Sequence, residues 1–350
     1  MQGWGSCDPG PIPGSPTNRI MIENSQNLHS HTYLSDGKMT HRETLDIAAA
    51  NGCYTVAFTD HDILIPPEIF ADLKNLDHKV KWVSGIELST GMGHVLGLFV
   101  DPHNEALRAH TVSMKEERIK KARVMAEALA QLGFVITAEE VLARAGDGGN
   151  VTKPHIVDAL VAHPENIPLL ETYIEKLRIA AETNEDLKKG YIEAREMSEV
   201  KGIGMYVYPI FLKSHPLVPG VHQNFSIEPS IDDGVKLIRD AGGLAVLAHW
   251  HIDKKNFPLA LLEKFLSEDK LDGVETVWGL NAYGTSGETE MRADNKAVSE
   301  LVRQLGKLEC PSLDAHTKSD YELLGRSDFF AEQTLGMLEK IYEKFPDKKP

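Results

Sequence analysis

The chain has 350 residues with 52 acidic against 37 basic side chains, a net charge of -15. That excludes a broad basic face for tracking nucleic-acid phosphates, so no long nucleic acid is expected as a partner. Cys7, Cys53 and Cys310 lie apart without a Cys-x-x-Cys pair, which argues against a disulfide framework and a thiolate zinc site and points to a reducing, cytoplasmic setting. No run of about 18 apolar residues occurs, so no membrane-spanning helix is expected.

Residues 1–25 are rich in Gly, Pro, Ser and Asn without a continuous apolar stretch, and read as a flexible leader rather than a secretory signal. Short apolar runs then give strand candidates at 27–31, 54–59, 82–87, 94–100, 244–249, 273–277 and 311–314. Residues 40–51 show alanine and leucine at helical spacing and stop at Gly52; residues 231–241 stop in the same way at Gly242-Gly243. Only six residues separate Glu87 from His94, whereas a parallel crossover takes a dozen or more. Those two strands are therefore expected to be antiparallel, with His94 starting one beside Glu87 at the end of the other. Strands alternating with helices indicate an α/β barrel-like fold.

Between 103 and 225 the strand signal fades and charged helices take over, notably 112–132 and 169–198. The span 109–225 is too long for a loop and is expected to be a helical insertion that roofs the site as a substrate cap. It divides the barrel into 26–108 and 226–325. An amphipathic helix, 329–345, closes the chain within 326–350.

Chemistry-bearing residues sit at the ends of these apolar runs. His29 and His31, two apart on a strand, share one face and suit a single ion, although an isolated pair of this kind is more often a satisfied core or surface pair. Asp36, in Ser35-Asp36-Gly37, reads first as turn chemistry. Asp60, His61 and Asp62 end a strand, where the carboxylates would orient the imidazole, bind metal or cap a helix. Glu87 has two oxygens with which to bridge two cations. His94, His249, and Asp314 with His316 at the same two-residue spacing, complete the set. Their joint placement at strand ends favours a multinuclear hydrolytic site over a coincidence.

The order His29-Ser30-His31, Ser35-Asp36-Gly37, Thr59-Asp60-His61-Asp62, Gly85-Ile86-Glu87, Gly93-His94, Ala248-His249 and Asp314-Ala315-His316 resembles the polymerase and histidinol phosphatase (PHP) metallophosphoesterases. The likeness runs from about residue 26 to 325. It is nearest the branch of nucleotide 3',5'-bisphosphate phosphatases and RNA 5'-end exonucleases, through Val151-Thr152-Lys153-Pro154-His155-Ile156 and Arg118-Ile119-Lys120-Lys121-Ala122-Arg123. The resemblance implies a distorted seven-stranded (β/α)7 barrel holding two or three divalent ions. His29, His31, Glu87 and Asp314 would take the first, Glu87, His94 and His249 the second, and Asp36, His61 and His316 the third. Nitrogen and oxygen ligands suit manganese, zinc or iron. Ligation needs neutral histidine and ionised carboxylate, so activity should fall in acid.

Metal-activated hydroxide would then attack a phosphate monoester of a small phosphorylated metabolite or nucleotide. Arg118, Arg123 and Lys153 are candidates to grip phosphate, with solvated helix charge as the alternative for the two arginines; His155 and Asp60 are the catalytic candidates. Three features depart from the family: Trp250 follows His249 where proline is common, Lys153 stands where arginine is usual, and 164–201 is longer than the family's insertion. Competing readings are a 5'-to-3' exonuclease on short RNA, a non-catalytic PHP scaffold, and a cyclic amidohydrolase. The last normally needs a bridging carboxylated lysine, and no lysine stands at a suitable strand end.

Overall fold

In the computed structural model, seven strands form one sheet in chain order: β1 (Ser25–Asn27), β2 (Cys53–Phe58), β3 (Lys81–Thr90), β4 (Gly93–Leu98), β5 (Leu244–Leu247), β6 (Gly273–Val274) and β7 (Leu308–Glu309). The structure describes residues 25–349 except 214, 224–226, 256, 277–287, 311 and 325–336, so the leader expected at 1–25 falls almost wholly outside it. β4 runs antiparallel to both β3 and β5, and every other neighbouring pair is parallel. Six strands thus release the chain at one end of the sheet, and the reversed β4 begins there. At that end the first and last segments meet: the His31 N–H donates to the Ala315 carbonyl at 2.8 Å and the Ala315 N–H to the His29 carbonyl at 3.1 Å. The result is a curled seven-stranded sheet, consistent with a distorted (β/α)7 barrel.

The expected antiparallel return is present, but β3 runs on to Thr90, so Ser89 rather than Glu87 lies opposite His94. Thr90 Oγ1 donates to the Gly93 carbonyl at 2.6 Å and closes the turn there. Two strand boundaries also differ from expectation. The first strand stops at Asn27, with only Ser30 bridging further on, and the seventh is Leu308–Glu309 rather than 311–314. Asp314 has φ 50°, a left-handed conformation that no strand can continue through.

The described helices are α1 (His41–Ala50), α2 (Pro67–Lys74), α3 (Glu105–Gln131), α4 (Ala138–Ala143), α5 (Lys153–Val161), α6 (Ile167–Ala180), α7 (Glu185–Lys201), α8 (Ile231–Asp240), α9 (Trp250–Asp253), α10 (Leu259–Ser267), α11 (Glu288–Gln304), α12 (Lys318–Leu324) and α13 (Met337–Lys344). α1 starts with a capping box: the Glu43 N–H donates to Thr40 Oγ1 at 3.2 Å and the Thr40 N–H to the Glu43 carboxylate at 2.8 Å. The helix expected over 169–198 is two, α6 and α7. Asn184 breaks it, because its side-chain oxygen accepts the Asp186 and Leu187 N–H groups at 3.0 and 3.1 Å and starts a new helix. Helices α3 to α7 bury a cluster drawn wholly from Ala122 to Val221, including Leu129, Val141, Leu160, Leu170, Leu177 and Phe211. Leu338 and Ile341 of α13 pack with Leu28, Val83, Leu244 and Leu308, and the Leu338 N–H donates to Gln26 Oε1 at 2.6 Å. Since Gln26 lies in β1 upstream of His29, α13 covers the end of the sheet opposite the histidines. The later part of the helix expected at 329–345 is therefore seen, as Met337–Lys344, while 329–336 lie outside the described residues.

His41 is buried against Phe58, ring centroids 4.7 Å apart, and its Nε2 has no hydrogen-bond partner. Burial pushes its imidazole from 6.5 down to about 4. Between those values the unfolded chain binds a proton that the folded one refuses. Stability from this site is therefore complete above pH 6.5 and falls as pH drops toward 4, by up to about 3 kcal/mol. Urea titrations of the metal-free protein at pH 7 and pH 5 should show a smaller acid loss for His41→Phe than for wild type; equal losses would contradict this account of His41.

Candidate metal centre

The segments leaving β1, β2 and β5 supply His29 with His31, His61, and His249; β3 supplies Glu87, the start of β4 supplies His94, and the segment after β7 supplies Asp314 and His316. Asp36 arrives on the turn after His31. A Cβ on Gly37 would lie 2.3 Å from the His31 carbonyl oxygen, so only glycine lets this turn fold back and set Asp36 beside His31. Three non-glycine residues here have left-handed backbone: Asp62 (φ 48°), His249 (φ 24°) and Asp314 (φ 50°). Such strain persists only where surrounding bonds hold it.

Glu87 lies at the middle of the cluster. Its Oε1 is 2.8 Å from both His94 Nδ1 and His249 Nε2. Its Oε2 is 2.8 Å from His61 Nδ1, 3.3 Å from His31 Nε2 and 3.4 Å from His29 Nε2. Asp314 Oδ1 lies 3.1 Å from His31 Nε2 and 3.3 Å from His29 Nε2. Asp36 faces His316 at 3.4 Å, His31 at 3.6 Å and His61 at 3.7 Å. All the side chains expected as ligands from sequence therefore come together. Candidate ligand atoms within 4.8 Å of one another include the sets His31-Asp36-His61-His316, His29-His31-Glu87 and His61-Glu87-His94. His31 and His61 each belong to two of these sets, where the sequence reading gave each to one.

The electrostatics are those of a pocket that attracts cations. Burial disfavours charge on His29, but Asp314, Glu87 and Glu275 outweigh it and hold the imidazole well above its ordinary value. Against the same burial, Glu87 carries His249 up to about 9, and Asp36 and Asp314 carry His316 up to about 10. Burial raises Glu87, Asp36 and Asp314, yet the surrounding histidines hold all three carboxyls well below the usual range. His31 goes the other way, pushed by burial and then by His316 and His61 down to about 4. Asp36 Oδ1, His61 Nδ1 and Glu87 Oε2 are buried without a hydrogen bond of acceptable geometry. Orphaned nitrogen and oxygen atoms in a carboxylate-rich pocket fit divalent cations.

The remaining candidates are placed differently. Asp60 accepts three hydrogen bonds, from the Thr32 N–H (2.7 Å), Thr32 Oγ1 (2.8 Å) and Ser35 Oγ (2.7 Å), and so braces the turn that carries Asp36. Arg118 is buried and committed to Asp62: its Nε donates to Asp62 Oδ2 at 3.1 Å, its Nη2 bonds the same oxygen, and Nη2 reaches Ser89 Oγ at 3.2 Å. That leaves it no free fork for phosphate. Arg123 turns to the surface and pairs with exposed Glu139 at 2.6 Å, on a different face of α3 from Arg118. Arg123→Ala should accordingly leave KM within about twofold of wild type, surface pairs of this kind being worth little; a tenfold rise would restore Arg123 as a phosphate contact. Lys153 opens α5 half-buried, with burial and then Arg118 pushing its amine down to about 8. His155 Nδ1 accepts the Thr152 N–H at 3.0 Å, and burial lowers its imidazole, so it is a neutral ring with the proton on Nε2.

Asp62, read from sequence as orienting the imidazole, binding metal or capping a helix, instead carries Arg118, and two further participants had no role in the sequence reading. Lys121, one turn beyond Arg118 on the buried side of α3, has its amine pushed down to about 7, first by burial. Glu275, straight after β6, is buried against His29 and His249. Its signal was its place straight after the apolar Gly273-Val274 strand, but no neighbouring histidine marks it.

No family model matches the chain. It is 34% identical over 114 residues to a 3',5'-nucleoside bisphosphate phosphatase of Chromobacterium violaceum, a match covering 31% of this chain and 39% of that protein. With the 5'-3' exoribonuclease Rnm of Salmonella typhimurium it shares 29% identity over 240 residues, 67% of each chain. A solved structure from Bifidobacterium adolescentis, described as a metal-dependent phosphoesterase, superposes with a TM-score of 0.60 at 22% identity, covering 87% of this chain and 90% of that one; it shows the shared fold. The chain shares the fold of that structure, and its clustered side chains are of the kind that hold divalent cations. The chain is thus a homologue of the bisphosphate phosphatase and of the Rnm exoribonuclease, and it spans well under half the length of the former.

Proposed function

We propose that the chain hydrolyses a phosphate monoester of a small phosphorylated metabolite or nucleotide, using two or three ions of manganese, zinc or iron. The observation that carries the reading is Glu87, one buried carboxylate within 3.4 Å of five imidazoles. His29, His31, Glu87 and Asp314 would hold one ion, Glu87, His94 and His249 another, and Asp36, His61 and His316 a third, which makes Glu87 the bridge between the first two. Bound ions would lower the pKa of water and neutralise charge on the phosphoryl oxygens.

The protein's own groups do the rest. His155, buried and neutral with its proton on Nε2, would donate a hydrogen bond to a phosphate oxygen, a role that suits it better than strong general acid. Lys153 supplies a point charge. The insertion 109–225 acts as the cap, since Asn150 donates to the carbonyls of His61 and Asp62 at 2.8 and 3.0 Å and so fastens it to the rim. No described helix is long and apolar enough to cross a membrane, and Cys53 and Cys310 are buried free thiols, in keeping with a reducing cytoplasm.

A 5'-to-3' exonuclease acting on short RNA is the second reading, favoured by the length of the match to the Salmonella protein and disfavoured by the net charge of -15. Phosphate release from nucleotide mono- and bisphosphates, sugar phosphates and short 5'-phosphorylated RNAs, with each metal in turn, tests both. Turnover of small esters above RNA is expected. Preferential RNA cleavage selects the second reading, and no turnover at all favours a scaffold.

A further inference from the structure

We infer that Glu275 is a positioning residue of the metal centre: its carboxylate fixes which nitrogen of His29 faces the ions and sets the backbone that presents His249. The inference rests on the proposed metal-binding reading and goes beyond its ligand set. Glu275 and His29 are both fully buried, and His29 Nδ1 lies 3.4 Å from Glu275 Oε1 and 3.5 Å from Oε2. A carboxylate acceptor keeps a proton on Nδ1, so when an ion takes the place of the Nε2 proton, the neutral His29 retains its N–H toward Glu275. The lone pair then belongs to Nε2, which faces His31 Nε2 at 3.0 Å, Asp314 Oδ1 at 3.3 Å and Glu87 Oε2 at 3.4 Å. A carboxylate behind a ligating imidazole both orients the ring and makes it a better donor.

The same side chain acts on two further segments. The His249 N–H donates to Glu275 Oε2 at 2.5 Å, holding His249 at φ 24°, the left-handed conformation from which its Nε2 reaches Glu87. Ser312 Oγ donates to Glu275 Oε1, two residues before Asp314. One carboxylate thus joins the segments after β1, β5 and β7. Ala248 and Cys310 nearby belong to an apolar cluster, where an acid costs stability unless fully bonded. Packing alone would be served better by an apolar residue, which leaves ligand placement as the reason for the charge.

The test is zinc and manganese affinity of the purified metal-free full chain, by chelator competition, together with its melting temperature. Glu275→Gln keeps the shape and an acceptor but removes the charge. It should weaken binding by about 10- to 100-fold while the metal-free protein melts close to wild type. Unchanged affinity in Glu275→Gln would overturn the inference. Should that variant fail to fold, Ser312→Ala carries the test: a smaller loss of affinity supports the inference and none overturns it. Wild-type protein that binds neither metal would instead refute the reading on which the inference rests.

Discussion

Glu87→Gln is expected to lower phosphate release by at least about a thousandfold and to reduce the bound metal. Glutamine fills the same space but brings one oxygen and no charge. Wild-type Glu87 offers Oε1 to His94 and His249 and Oε2 to His61, His31 and His29, so each oxygen can serve a different ion. Burial alone would favour the protonated acid, but His61, His94 and His29 hold the carboxyl well below its usual range. With the charge gone, cations would be held close together without their common counter-ion. Equilibrium dialysis followed by elemental analysis gives the metal content, and phosphate assays give the rate. Normal metal content and normal rate in this variant would dismiss the bridge.

Arg118→Ala should act mainly on stability, costing about 3–5 kcal/mol in urea unfolding of the metal-free protein. Asp62 is fully buried, and its carboxylate also accepts from the Ser89 N–H at 2.7 Å and Ser89 Oγ at 2.8 Å. Those neutral donors remain after the substitution, but the guanidinium that compensates the buried charge does not. The damage would reach the site, since Asp62 adjoins His61 and Arg118 Nη1 also bonds the Val151 carbonyl at 3.4 Å, beside Asn150. Combining Asp62→Asn with Arg118→Gln should recover part of the loss, because neither unpaired charge is then buried. If Arg118→Ala unfolded like wild type and only raised KM, the phosphate-gripping role read from its sequence context would be correct after all.

The contrast between Glu87 and Arg118 marks what local sequence conveys. His29 with His31 and Asp314 with His316 announce themselves by spacing, and apolar runs beside them place them at strand ends, so the cluster was visible without coordinates. The reversal of β4 was legible too, because so few residues separate Glu87 from His94. Arg118 was not: its partner Asp62 is 56 positions away, and nothing near either residue names the other. Glu275 reaches His29 across 246 positions. The break between α6 and α7 depended on Asn184 choosing to cap rather than continue a helix, a choice between two local bonding patterns. The displaced seventh strand turned on the left-handed backbone at Asp314, which tertiary bonds impose on an otherwise strand-like stretch.

Anomalous diffraction at the zinc edge from crystals soaked in zinc addresses the metal centre most directly. Two or more peaks are predicted among His29, His31, Asp36, His61, Glu87, His94, His249, Asp314 and His316, about 2.0–2.2 Å from imidazole nitrogens and carboxylate oxygens, with Glu87 touching two of the ions. Density confined to surface sites, or ions in the pocket with no contact to Glu87, would contradict the account.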